Sequence, residues 1–434
     1  MIEVGASVVD ITPPAGLPMA GFAARTKVAT GTHDALTARA LVVGETAIVT
    51  ADVIGVDAAM SRRVRERCSL PKDSVTITAT HTHGGPISMA GRLAADADTT
   101  YLHSLEDSIV TAIEAAAASK RPARFFGGVG AEPGYASNRR HTGGLVDRGV
   151  PILKFQEEDG NVIAIFTSYA CHPVVLGADN LTWTGDYPHF IRERLEAAYP
   201  DAIAICATGC AGDVNTGHSA QSSLSTAAKS DRSFSTASQM GLGLAESVKS
   251  ANLVELDHTI GAGENFTQLE FIARETGSRE HLADKWRAQA ASAETGCALY
   301  TVWADWAETR MGKELEPLAA RCSALRWGEA LIIALPGEIF AQTALEVRQN
   351  FPANAPTFVL AYADDNPGYI CPMSEYAHGG YEIDEAHRFY GLGATFAPGS
   401  AERLARAGCK AADLAVGTCT TNQPTKINAT EGRK

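Results

Sequence analysis

Residues 74–86 read Ser-Val-Thr-Ile-Thr-Ala-Thr-His-Thr-His-Gly-Gly-Pro. The β-branched run over 74–80 predicts a strand, and His81 and His83 follow it directly. Spaced i and i+2, the two imidazoles share one face wherever the strand continues that far. Comparable runs recur at 46–51, 162–170, 202–206, 330–335 and 357–363. Between them lie helical patterns at 61–68, 189–198, 240–248, 279–291 and 341–349. The clearest helix is 101–117, where Leu102, Leu105, Ile109, Ile113 and Ala116 form one apolar stripe. Strands alternating with helices predict an α/β fold.

Polar, metal-capable residues gather just past the carboxyl ends of these strands. Asp52 ends one, and Cys171-His172 follow another. Gly212-Asp213-Val214-Asn215, Glu338 and Tyr369 come shortly after three more. Open α/β sheets bind ligands at that edge, so five or six such residues predict one shared site. His-x-His alone divides evenly between metal ligands and hydrogen-bonded structural histidines, and the repeated pattern tips it toward a metal. The HxHxDH signature of metallo-β-lactamase-like enzymes is absent, because Gly84-Gly85 follow His83.

The 434 residues are 45% apolar and 20% charged, a globular composition with formal net charge −13. Such a surface repels phosphate backbones and anionic lipid, which argues against nucleic-acid partners and stable membrane association. Apolar runs such as 330–335 are far too short to span a bilayer. No basic segment followed by an apolar stretch opens the chain, and the nine cysteines have no framework spacing. The expectation is a cytoplasmic protein with reduced thiols. Cys206 and Cys210 lack the second pair that a structural zinc requires. One domain is expected over 1–417 with a polar tail over 418–434, and residues 218–239 read as a mobile polar loop.

Several short motifs occur in order between roughly residues 10 and 395. They are Ile11-Thr12-Pro13-Pro14, Thr80-His81-Thr82-His83-Gly84-Gly85-Pro86, Asn138-Arg139 and Ala170-Cys171-His172-Pro173. Gly212-Asp213-Val214-Asn215, Leu335-Pro336-Gly337-Glu338, Gly368-Tyr369-Ile370, Glu375-Tyr376 and Tyr381-Glu382 continue the series. Together they resemble the neutral/alkaline (non-lysosomal) ceramidase family. The resemblance implies that family's catalytic-domain fold: mixed sheets with surrounding helices and a metal site at strand C-terminal ends. It also implies one Zn²⁺ held by His81, His172, Glu338 and Tyr369. His83 is then expected to shuttle a proton, Arg139 to anchor a substrate oxygen, and Tyr376 to donate to the carbonyl oxygen. Arg140 and His141 are expected at the surface, Tyr381 and Tyr390 in structural roles. Asp52, Asp186 and Asp213 are candidates to orient a ligand histidine, and His33-Asp34 is assigned to structure or to the same supporting role.

The departure is at 212–216, where the family carries a serine needed for activity and this chain has Asn215. Asn215 cannot be usefully acylated; its amide either binds substrate or closes the turn. The expected reaction is hydrolysis of an amide or lactam in a small, polar molecule. A lactone or ester hydrolase, or a non-catalytic metal-binding relative, are the alternatives. Homo-oligomerisation is left open.

Overall fold

A computed structural model describes residues 1–93, 97–220, 226–293, 297–313, 315–353 and 355–417. The expected tail over 418–434 lies outside them. The main sheet runs, in spatial order, Ile203–Thr208, Val162–Tyr169, Gly149–Gln156, Arg121–Ala131, Ile2–Asp10, Thr37–Val43, Thr46–Ala51 and Val75–Ala79. Its two outermost pairs are parallel and the inner ones antiparallel. Thr37–Val43, Thr46–Ala51, Val75–Ala79 and Val162–Tyr169 are buried along their whole length, which is why they read as near-continuous apolar and threonine runs.

A second sheet holds Ile260–Leu269, Leu318–Trp327, Ala330–Ala334 and Thr357–Leu360. Leu41, Ile48, Phe125 and Phe166 of the first sheet share one core with Leu325, Trp327, Ile332 and Phe358 of the second. The sheets therefore pack face to face, and helices cover them outside. Helix Thr99–Ala118 is capped by Asp98, whose carboxylate accepts from Tyr101 N at 2.7 Å. It lays Leu105, Ile109, Ala112, Ile113 and Ala116 against the first sheet, four of them from the expected stripe, while Leu102 is only partly buried. Helix Ser400–Val416 covers the second sheet mainly with alanines, Leu404 being the one large side chain among its buried residues. It approaches so closely that a Cβ at Gly261 would meet Ala415 O at 1.9 Å.

The loop expected over 218–239 differs in part. Helix Phe234–Ser250 starts six residues before the periodic apolar pattern, because Ser233 caps it by accepting from Thr236 N. Arg232 is buried and donates to the carbonyls of Val174 and Leu176, both at 2.9 Å. Residues 221–225 of that stretch lie outside the described residues. Helix Cys297–Thr309 was not expected. Among the described residues no helix is long and apolar enough to cross a membrane, and seven cysteines are free thiols.

What places the site is the meeting of strand ends. Thr208 Oγ1 donates to Thr80 O at 2.6 Å, joining the carboxyl ends of the two outermost strands of the main sheet. The segment after Thr357–Leu360 lies across both, through the bridges Gly209↔Leu360 and Thr78↔Ala363.

Candidate metal centre

His81 leaves its strand in a left-handed conformation, φ 62°, with its N–H on Val53 O. Its ring Nδ1 donates to Ile54 O at 2.6 Å. His172 is fixed the same way, Nδ1 donating to Ala211 O at 2.5 Å. These carbonyls set the tautomer, so the Nε2 lone pair of each ring faces inward. His83 Nε2 lies 3.4 Å from His81 Nε2, and the ligand atoms of His81, His83 and His172 all fall within 4.8 Å of one another. Glu338 closes the group, Oε2 lying 3.0 Å from His172 Nε2 and 3.5 Å from His81 Nε2. Its other oxygen, Oε1, accepts from Tyr390 Oη.

This arrangement fits a cation. Inward-facing lone pairs on imidazole nitrogens meet a carboxylate oxygen at hydrogen-bond distance, acceptor against acceptor. The imidazole nitrogens of His81 and His172 with the Glu338 carboxylate are a donor set suited to Zn²⁺, and His83 Nε2 stands 3.4 Å from His81 Nε2 beside them. The electrostatics agree. Burial pushes His172 down to about 4, despite the opposing bond to Glu338. Burial, with the His81 charge next, drives His83 well below the ordinary imidazole value. Burial alone would raise Glu338; positive charge on His81, with donation from His172 and His81 when those rings carry an Nε2 proton, holds it well below the carboxylate range. At neutral pH His83 and His172 are unprotonated and Glu338 is ionised, the states in which they bind metals.

His83 differs from the other two rings. Its Nδ1 is buried without a hydrogen-bond partner among the described residues and faces Gly21. A Cβ at Gly21, φ 99°, would meet that nitrogen at 2.3 Å, so only glycine permits the contact. The ring packs edge-on against Phe22, and Arg25 Nη1 donates to the His83 carbonyl at 2.8 Å.

Tyr369 stands beside Glu338 in a two-residue parallel ladder, Glu338–Ile339 with Tyr369–Ile370. Its hydroxyl accepts from Arg139 Nη2 at 2.9 Å. Burial holds this phenol well above its ordinary value, against the opposing pull of Arg139. Arg139 also donates from Nε to Glu382 at 3.0 Å. Arg140, expected at the surface, is instead tied to Glu375 at 2.9 Å and to Glu382. Arg139, Arg140, His141, His378, Tyr381 and Glu382 line a cavity of about 350 Å³, and of these Arg139 is the one bonded to the Tyr369 hydroxyl.

Two expected residues have their polar groups engaged elsewhere. Tyr376 Oη donates to Phe396 O at 2.6 Å, so the hydroxyl expected to meet the substrate carbonyl is held by backbone. Asn215 donates to His218 O at 2.6 Å and accepts from Gly217 N and His218 N. Its amide closes the turn, the second of the two roles its sequence context allowed. The aspartates orient no ligand histidine. Asp52 pairs with Arg192 at 2.8 Å, and Asp186 caps helix Tyr187–Ala198. Asp213 accepts from Ala341 N and Asn138. Asp34 accepts from Thr184 Oγ1 and Gly185 N. Tyr390 was read as structural, yet it holds Glu338. No motif marks it, because the contact comes from fold rather than spacing.

Residues 2–214 match the family model described as neutral/alkaline non-lysosomal ceramidase, N-terminal. The crystal structure of neutral ceramidase from Pseudomonas aeruginosa superposes with a TM-score of 0.75 at 17% identity, covering 96% of this chain and 74% of that one. A ceramidase structure complexed with C2 gives 0.73 at 16% identity, with 96% and 75% covered. Residues 2–214 are thus similar in sequence to that family, and over 96% of the chain the mixed α/β fold is that of the neutral ceramidase structures.

Proposed function

We propose that the chain is a zinc-dependent hydrolase cleaving the amide or lactam bond of a small, polar molecule, with water as nucleophile. The observation that carries this reading is the buried His81–His83–His172 group closed by the Glu338 carboxylate. His81, His172 and Glu338 would hold the ion, with Tyr369 beside them on the Glu338 ladder. Bound there, zinc supplies Lewis acidity: it lowers the pKa of water and polarises a carbonyl.

The chain's own residues supply the rest. His83 has no carbonyl fixing its Nδ1, unlike the two rings expected as ligands, which suits a ring that takes up and releases a proton. It would pass that proton to the leaving nitrogen. Arg139, buried between Tyr369 and Glu382, would donate to the carbonyl oxygen as charge develops there. That role passes to Arg139 because the Tyr376 hydroxyl is already bonded to Phe396 O. No acyl-enzyme is expected at position 215, since an asparagine amide is not a useful nucleophile.

The cavity supports a polar substrate. Arginine, histidine, tyrosine and glutamate line it, whereas long acyl chains are bound by apolar walls. Purified protein is expected to carry about one zinc per chain and to hydrolyse members of a small-amide panel. In ¹⁸O-labelled water the label should enter the acid without a burst phase. A zinc-loaded protein inert on every amide and lactam would sink the catalytic reading. Robust turnover of long-chain ceramide would sink the polar-substrate reading.

A further inference from the structure

Tyr362 lies fully buried beside the metal centre in a left-handed conformation, φ 55°. Its ring stacks face-on against the His81 imidazole, centroids 4.0 Å apart and planes at 13°. Toward His172 the same ring is nearly perpendicular, at 6.1 Å and 79°. A bulky residue with positive φ is a true outlier, and such outliers persist only where the surroundings over-determine them.

The surroundings here are specific. Tyr362 O accepts from Ala79 N, at the end of the strand that leads to His81. Tyr362 N donates to Gly337 O, in the turn that leads to Glu338. Two residues on, Asp364 repeats the left-handed backbone at φ 59° and donates from its N–H to Ile77 O at 2.7 Å. Its carboxylate is clasped by Arg65 at 2.6 Å and Arg321 at 2.5 Å. One short segment is thus bonded both to the strand carrying His81 and to the turn carrying Glu338.

The Nδ1 bond to Ile54 O fixes where the His81 ring points but leaves its plane free to tilt. A flat partner at stacking distance removes that freedom and so fixes the direction of the Nε2 lone pair. We propose that Tyr362 is a positioning residue of the metal centre, its ring setting the plane of His81. The proposal rests on the metal-binding reading above. The proposal invokes the ring alone; the hydroxyl has no hydrogen-bond partner among the described residues.

The test compares Tyr362→Phe, Tyr362→Leu and Tyr362→Met with a control, Phe166→Leu, in the core between the sheets. Zinc affinity is measured by competition with a chromophoric chelator, and the visible spectrum of the cobalt-loaded protein reports donor geometry. Tyr362→Phe should bind zinc within about two-fold of wild type and keep the cobalt spectrum. Losing the flat ring, as Leu or Met, should weaken zinc about 10- to 100-fold, the usual range for groups that orient ligands, and alter the spectrum. Phe166→Leu should lower the melting temperature and leave zinc affinity and spectrum unchanged. Wild-type affinity in both the Leu and Met variants would overturn the proposal. So would equal weakening in Tyr362→Phe, or a comparable loss in Phe166→Leu. Absence of zinc binding by the wild type would instead overturn the metal reading itself.

Discussion

Glu338→Gln separates a metal ligand from a packing residue. The carboxylate is 2% exposed, with Oε1 accepting from Tyr390 and Oε2 3.0 Å from His172 Nε2. Glutamine keeps the shape. Its amide oxygen still accepts from Tyr390, and its amide nitrogen donates to the His172 lone pair. The Tyr390 bond loses its charge assistance, a change of about 1 kcal/mol, and the new bond returns about 0.5–1.5 kcal/mol. Removing a buried charge also lifts a desolvation penalty of a few kcal/mol. The zinc-free variant should therefore be about as stable as wild type, or more so. With zinc the order reverses. If losing the carboxylate weakens binding about 100-fold, at a zinc concentration of about 1,000 times the wild-type Kd the zinc-dependent stabilisation falls from about 4.1 to about 1.4 kcal/mol. Urea unfolding of both proteins, with and without zinc, measures the difference. A variant protected by zinc as fully as wild type would refute Glu338 as a ligand. A zinc-free variant several kcal/mol less stable would make it a packing residue.

His83→Ala should retain zinc yet lose at least about a hundred-fold in kcat, the usual scale of general acid–base catalysis; metal loss on dialysis would make His83 a ligand instead. His172→Ala should lose zinc altogether, checked by metal analysis after dialysis against chelator. Asn215→Ala removes three hydrogen bonds from its own turn and should lower thermal stability, while kcat/KM changes little at temperatures where the variant is folded. Away from the site, Glu275 is lowered to about 2: burial opposes, but the bond and charge of His387 outweigh it. A depressed carboxylate contributes stability above its unfolded pKa, about 4.3, that is lost as pH falls toward 2. Melting temperature should drop across that window, and Glu275→Gln should flatten the drop.

The strands that carry the site were legible because each is buried on both faces and so reads as a continuous apolar or threonine run, as at 75–79 and 162–169. Helix Thr99–Ala118 was legible by its stripe. Helix Ser400–Val416 was not, because small residues packed against Gly261 and Gly263 replace the large apolar period. At the site, the strand-end pattern marked His81, His172 and Glu338 among several polar residues and the family resemblance singled them out as ligands; the structure gathers them. Tyr390 and Tyr362 could not be singled out that way. One reaches Glu338 from a turn 52 residues away, and the other lies in a strand-like run where an aromatic reads as core. Carboxylates commonly orient ligand histidines, which makes Asp52, Asp186 and Asp213 candidates by type. Here each is engaged by an arginine or by backbone N–H groups, and carbonyls perform the task.

That choice of orienting group bears on the chemistry. A carboxylate behind each histidine would add negative charge to the centre and make the imidazoles stronger donors. Ile54 O and Ala211 O hold the two rings without adding any. His83 and His172 are held neutral by burial, so Glu338 contributes the one formal negative charge identified at the group. Arg139, which donates to the Tyr369 hydroxyl, is balanced by Glu382 at 2.9 Å. A divalent ion bound there with Tyr369 as a neutral phenol would keep about one unit of positive charge, in a setting where burial prevents water from screening it. Excess positive charge, poised beside a guanidinium, complements the oxygen of a neutral acyl group as it gains negative charge, and repels a cationic substrate. The polar cavity that Arg139 lines adds hydrogen-bonding groups without adding a strong net charge of its own. On the proposed zinc-hydrolase reading, this balance would favour neutral amides bearing hydroxyl or amide substituents.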